Sequence, residues 1–338
     1  MKRLALLLLA IPLVAACGSS SAATSSKNVT LNLAAYSTPK PVLVQLIKQW
    51  TGTVAGRGVD FAQSYASSGS QARAVAAGLP CDIAFLSTGL DINTLAGAGL
   101  VSQNWSSTLA HGGIAADSVV AFAVRPGNPK HIHSWADLVQ PGVKVVSPDP
   151  FSSGSAKWNV LAAYGQARTN GATDEQARAY VQKLFGNVVS QDASGSDAMA
   201  AFLAGRGDVL ITYESEAYAA QASGAKLSIV VPPQTMLIEL PMVATSSAPP
   251  QAKAFISYVH SAPAQTIFAE NGYRPVLTSV LQQPGLAQWR QRYSTTGDTL
   301  FRISDSLFGG WAKANTTWFD PKSGRMMAIE RAVGGPTS

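Results

Sequence analysis

The chain has 338 residues, of which 46% are hydrophobic and only 13% charged, with a formal net charge of +6. That length and apolar content suffice to bury a sizeable core, and two domains are the expectation. The mild positive excess favours anions, but lysine and arginine never cluster, which excludes a nucleic-acid footprint.

At the N-terminus Lys2 and Arg3 precede an apolar run from Leu4 to Val14, followed by Ala15-Ala16-Cys17-Gly18. This reads as a secretory signal peptide over residues 1–16, cleaved before Cys17, whose thiol is then lipidated. The run is too short to span a bilayer. Residues 17–27, rich in Ser, Gly and Ala, form a flexible tether to that anchor. One acyl chain binds a membrane only marginally, so stable anchoring needs more than one. Losing Lys2 and Arg3 lowers the formal charge from +6 to +4.

Strand-like runs follow at 29–35, 59–64, 82–86, 118–124, 144–147, 208–213, 227–231 and 242–245, with helix-like runs between most of them. This alternation predicts an α/β fold with mostly parallel sheets flanked by helices. Cys81, just before the third strand, reads as a small buried hydrophobe. With Cys17 lipidated no intramolecular disulfide can form. Pro126-Gly127-Asn128-Pro129 and Pro232-Pro233 each follow a strand and read as crossings between domains. They divide the chain into lobe I, 28–125 plus 234–338, and lobe II, 126–233.

Ser-Gly-Ser occurs three times, at Ser68-Gly69-Ser70, Ser153-Gly154-Ser155 and Ser194-Gly195-Ser196, each time before an alanine-rich amphipathic run. Glycine lets a ligand approach the backbone, serine caps or donates, and the first amides of a helix have no partners of their own. Three such ends meeting in the cleft between lobes would wrap a small tetrahedral anion in neutral donors. Ligands of open α/β sheets do bind beyond the carboxyl ends of the strands.

Catalytic motifs are missing. The chain has no G-x-x-x-x-G-K-[ST] phosphate loop and no G-x-S-x-G elbow. Ser153 and Lys157 do not have the S-x-x-K spacing, and Lys157 reads as part of a helix flank. His131 and His133 lack a third metal ligand at recognisable spacing. Glu214 and Glu216, after the sixth strand, read as structural hydrogen bonders. Asp149 and Asp197 read as helix caps facing away from the anion.

The segments SSGSQA, GNPKHIHSWADLVQPGVKV, SPDPFSSGSAKWNVLAAYG, GDVLITYESEA, NGYRPV and LFGGWAKA resemble the bacterial sulfate- and thiosulfate-binding proteins, the extracytoplasmic receptors of sulfate ABC importers. The resemblance runs from about Leu31 to Ala314. It implies a two-lobed, type II periplasmic-binding-protein fold with the ligand cleft between lobes. It also implies a monomeric receptor without enzymatic activity, metal or cofactor, which hands sulfate to membrane permease subunits.

Carried over by residue, the resemblance implies Ser37, Ser68, Gly69, Ser153, Gly154, Ser155, Gly195, Ser196 and Tyr213 as the anion site. Ser37 stands where the family often has an aspartate that gives only its amide. Ser155 stands where a second glycine is usual. Tyr213 replaces the family's tryptophan, and molybdate-binding relatives use a tyrosine in that role, so thiosulfate and molybdate remain alternatives. A secreted phosphoester- or sulfoester-processing enzyme is the remote one. A cavity of neutral donors alone predicts an affinity for sulfate that is nearly flat from about pH 5 to 8.

Overall fold

The computed structural model describes residues 28–294 and 299–336. The signal peptide, Cys17 and the tether of residues 17–27 lie outside the described residues. Ten strands are formed: β1 (Val29–Tyr36), β2 (Val59–Ala66), β3 (Ile83–Phe85), β4 (Ile114–Val124), β5 (Val145–Pro148), β6 (Val188–Asp192), β7 (Val209–Tyr213), β8 (Ser228–Val230), β9 (Gln234–Ala244) and β10 (Thr299–Phe301). They run in the order β2-β1-β3-β9-β4-β7-β5-β6, with β10 on β9 and β8 on β4.

β1 pairs in parallel with β2 and β3, and β5 in parallel with β6 and β7. Among the described residues, every antiparallel pairing involves β4 or β9. These two long strands join the halves. β4 lies against β9 over Ile114–Val119 and against β7 over Val120–Val124. The result is the expected α/β architecture of two lobes, with parallel strands and crossover helices in each half.

β5 and β7 are buried throughout, as befits parallel strands covered on both faces. The Gly154–Thr169 helix is buried from Gly154 through Ala167, so it has no solvent flank to expose. Trp158, in its second turn, donates from Nε1 to the carbonyl of Ser87 at 2.7 Å and meets Trp311 edge-on at 4.6 Å. The last helix, Arg325–Val333, packs on the Asp174–Gly186 helix. There Arg325 makes two 2.9 Å bonds to Asp174, and Gln191 of β6 donates to Glu330 at 3.0 Å. The segment after β9 therefore touches both halves.

Four features differ from the sequence reading. β6, β10 and the first halves of β4 and β9 escape it. Asp117 interrupts the apolar run of β4, yet its backbone is satisfied by Arg274 in an isolated antiparallel bridge. Pro241 inside β9 reads as a break, because proline cannot donate to a ladder. β6 and β10 are short and do not alternate, and they are held by their neighbours rather than by pattern.

Candidate functional site

Each Ser-Gly-Ser copy begins a helix: Ser68–Ala76, Gly154–Thr169 and Gly195–Leu203. Ser153 and Ser194 cap the last two, accepting from the amides of Ala156 at 3.5 Å and Asp197 at 3.2 Å. The first helix is capped differently: Ser67 at the cap position accepts from no helix amide, and its hydroxyl donates to Ser70 Oγ at 2.8 Å.

The three starts lie side by side. Gly69 donates its amide to the carbonyl of Ser152 at 3.2 Å, and the Ser152 hydroxyl donates to the carbonyl of Ala193 at 2.9 Å. The Ser196 hydroxyl donates to Ser37, just beyond β1, at 2.9 Å. At Gly154 the approach is too close for any side chain. A Cβ there would fall 2.0 Å from the Ser87 hydroxyl, 2.9 Å from Thr88 Cγ2 and 3.3 Å from Ser68 Cβ.

Some of the expected donors are committed within the protein. The Ser68 hydroxyl gives its proton to Asp91 at 2.5 Å and accepts from the amide of Ser87 at 2.9 Å. Asp91 is fixed in turn by Thr88, whose hydroxyl donates to it at 2.8 Å. Ser68 is thereby locked in place with its hydroxyl engaged. The Gly69 amide is spent on Ser152.

Other hydroxyls at the same junction are buried and, among the described residues, make no hydrogen bond of full geometry, lying only near one another: those of Tyr36, Thr38, Ser87, Ser155, Tyr213 and Ser215. They form one neighbourhood. Ser87 and Ser155 flank the Tyr213 phenol, and Tyr36 meets the Tyr213 ring edge-on at 6.5 Å. Thr38, Ser215 and Tyr36 in turn surround Tyr273. Burial pushes the phenols of Tyr36 and Tyr213 well above the ordinary tyrosine value, so both keep their protons. An unpartnered buried hydroxyl costs about 1 to 3 kcal/mol, so six together favour a guest rich in acceptors.

The charged groups are arranged around this neighbourhood. Asp197 accepts from Ser194 at 2.6 Å, and Asp149 from the Phe151 amide at 2.9 Å and the Ser152 hydroxyl at 2.8 Å, so both acids serve helix starts and turns. Lys157 is buried, not on an exposed flank. Burial lowers its ammonium from the ordinary lysine value, while Asp91 and Asp149 support its charge. Arg274 forms an ion pair with the fully buried Glu214, at 2.9 Å and 3.0 Å to one carboxylate oxygen. His131 and His133 are exposed. Among the described residues no group of three or more His, Cys, Asp or Glu side chains could hold a metal ion. Cys81 is half-buried, and burial pushes its thiol up to about 12, away from nucleophilic chemistry.

The structure thus brings Ser37, Ser68, Gly69, Ser153, Gly154, Ser155, Gly195, Ser196 and Tyr213 to one junction. It adds Tyr36, Thr38, Ser87, Ser215 and Tyr273, which the sequence reading does not assign to the site. Tyr36 ends β1 and Thr38 follows it, and Ser87 and Thr88 follow β3, so the rule that ligands sit beyond the carboxyl ends of strands carries a signal for them. Ser215 and Tyr273 lie within the GDVLITYESEA and NGYRPV segments, which carry the resemblance, but their place at the junction is set by tertiary packing.

Residues 31–274 match the family model described as bacterial extracellular solute-binding protein. A sulfate-binding protein of Synechococcus elongatus is 34% identical over 335 residues, covering 95% of this chain and 93% of the relative. A thiosulfate-binding protein of Pseudomonas aeruginosa is 32% identical over 274 residues, covering 78% and 80%. Among solved structures, the sulfate-binding protein SubI from Mycobacterium tuberculosis H37Rv superposes with a TM-score of 0.81 at 37% identity, over 86% of this chain and all of that one. The two-lobed fold, the likeness across nearly the whole length and the junction of three Ser-Gly-Ser helix starts together mean that this chain belongs to the bacterial extracellular solute-binding proteins, in the sulfate- and thiosulfate-binding group.

Proposed function

We propose that this chain is an extracytoplasmic receptor that captures the sulfate dianion between its lobes with neutral hydrogen-bond donors and delivers it to an ABC permease. The lobes are 28–125 with 234–338, and 126–233, the last helix reaching across. The observation that carries the reading is the cluster of buried, unpartnered hydroxyls where three helix starts meet. The sulfate-binding relatives support the choice of anion.

Physical chemistry favours the match. A dianion leaving water needs a donor for nearly every oxygen, since an uncompensated buried charge costs tens of kcal/mol. Charge-assisted hydrogen bonds return about 1.5 to 3 kcal/mol each, and each helix start adds up to about 2 kcal/mol. Phosphate near neutral pH carries a proton that would face another donor, and such a mismatch discriminates strongly.

A titration panel of sulfate, thiosulfate, molybdate, tungstate and phosphate tests this. Sulfate should bind with micromolar affinity or tighter and phosphate at least about a hundredfold more weakly. Tyr213→Phe should weaken sulfate by about 1 to 3 kcal/mol, and Tyr213→Trp should largely restore it. Phosphate competing at equal concentration would overturn the reading. Thiosulfate or molybdate binding more tightly than sulfate would replace the ligand and keep the receptor; the thiosulfate-binding relative makes the first of these the specific alternative. Hydrolysis of a phosphate or sulfate ester by the pure protein would establish the enzyme instead.

The leader supports a lipid anchor at Cys17. Cys17→Ser should move the protein from the membrane fraction to the soluble one, and unchanged membrane retention would refute the anchor.

A further inference from the structure

Gly154 and Trp158 stand one turn apart on the same face of the Gly154–Thr169 helix, and both meet one residue of the other half, Ser87. At Gly154 the approach is so close that a Cβ would fall 2.0 Å from the Ser87 hydroxyl. One turn later the Trp158 indole Nε1–H donates to the Ser87 carbonyl at 2.7 Å. The helix follows β5 and Ser87 follows β3, so this bond runs between the two halves of the molecule.

Ser87 is held at both of its backbone polar groups. Its carbonyl takes the indole N–H, and its amide donates at 2.9 Å to the Ser68 hydroxyl, which is tied in turn to Asp91. Through Ser87, Trp158 therefore acts on the start of the Ser68–Ala76 helix and on the Ser87 hydroxyl of the buried cluster. A second indole closes the same gap. Trp311 meets Trp158 edge-on at 4.6 Å, and a Cβ on Gly89, the first residue of the Gly89–Gly97 helix, would come within 3.0 Å of Trp311 Cδ1. Trp158 is fully buried and Trp311 partly so.

An indole has one polar atom, a donor that cannot accept, so the orientation of a buried tryptophan is set by where that N–H goes. The acceptor of Trp158 lies across the divide. When the halves part, water hydrates both the N–H and the carbonyl. When they meet, the bond replaces both hydrations, and breaking it there would leave a buried carbonyl without a donor. The bond thus stabilises the joined form alone, and the affinity for a guest held between the halves rises with it.

We propose that Trp158 is a positioning residue of the anion site, a latch that holds Ser87 and the two halves in the binding geometry and sets how long the anion stays. This rests on the sulfate reading above. The latch plays no part in the choice of anion, because its N–H is aimed at the protein's own backbone and every anion that the site holds gains by the same factor.

The test is stopped-flow and calorimetric titration of the mature chain with sodium sulfate, comparing wild type with Trp158→Phe, which keeps an aromatic ring and removes the donor. In the variant sulfate should leave roughly ten- to a hundredfold faster, while its association rate changes by less than about threefold. Kd should rise accordingly, and by the same factor for every anion of the panel that binds. In wild type labelled with 15N-tryptophan, the Trp158 Nε1–H should exchange with solvent at least about tenfold more slowly with saturating sulfate than without it, a difference that a tryptophan merely filling the core of one half would not show. Where the variant fails to fold, that exchange measurement decides. An unchanged dissociation rate, a loss confined to association, a factor that differs between anions, or indole exchange indifferent to sulfate would overturn the latch and leave the receptor intact. Failure of wild type to bind any anion of the panel would overturn both.

Discussion

Gly154→Ala should reduce sulfate affinity by roughly a hundredfold or more while barely changing the melting temperature of the unliganded protein. The added methyl group would lie 2.0 Å from the Ser87 hydroxyl and 2.9 Å from Thr88 Cγ2. The Ser87 hydroxyl can rotate away. Thr88 cannot easily follow, because its hydroxyl caps the Gly89–Gly97 helix and donates to Asp91. The affordable response is for the two halves to part, which withdraws Ser155 and Tyr213 from Ser87. The helix itself tolerates alanine better than glycine, so the substitution costs the helix nothing. Sulfate titration alongside a thermal melt without ligand separates the two effects. Wild-type affinity in Gly154→Ala would show that the glycine is not what allows the halves to meet.

Arg274→Met should destabilise the protein by about 3 to 5 kcal/mol near pH 8, because it removes the ion-pair partner of a fully buried glutamate carboxylate. Burial already pushes Glu214 above the ordinary carboxylate value, with Arg274 holding it down. Without the arginine the group rises further. Its neutral form then stabilises the fold at acid pH, and that contribution disappears as pH increases through the new folded value. The deficit should therefore be smaller near pH 5 than near pH 8. Adding Glu214→Gln to the methionine variant should recover most of the loss, since no buried charge remains. Denaturant unfolding of the three variants at both pH values is the measurement. A deficit independent of pH, or no rescue in the double variant, would mean that Arg274 acts through packing on Tyr293, whose ring it also covers at 4.8 Å.

Much of this was legible in the sequence where it depends on local pattern. The three helix starts announce themselves because serine at a cap and glycine at a close approach are chosen by backbone geometry. Most strands are visible because buried parallel strands are continuously apolar. Tyr213 is found by its motif, since it ends a strand that the fold requires.

What stays hidden is set at long range. Lys157 looks like a flank residue because its helix has an ordinary mixed composition; it is buried because Trp158 and its neighbours pack against Ser87, Trp311 and Phe319, far away in the chain. Glu216 looks like one more polar residue at a helix start. It is buried, with its carboxyl against Gly195, which lies opposite only after β7 and the Gly195–Leu203 helix have docked. Tyr36 and Ser87 carry no motif of their own, Tyr273 lies in a motif that does not announce its role, and the three converge from separate segments.

The two ends of the described chain lie on different halves of the molecule, β1 in one sheet half and the last helix clamped by Arg325 and Glu330 to the elements around β6. A mechanical load between those ends is therefore shared between the β4–β9 ladder that joins the halves and the bonds across the junction, Gly69 to Ser152, Trp158 to Ser87 and Ser196 to Ser37. Tension on the ends and escape of the guest follow the same coordinate, so anything that pulls on one terminus while holding the other acts as a lever on retention.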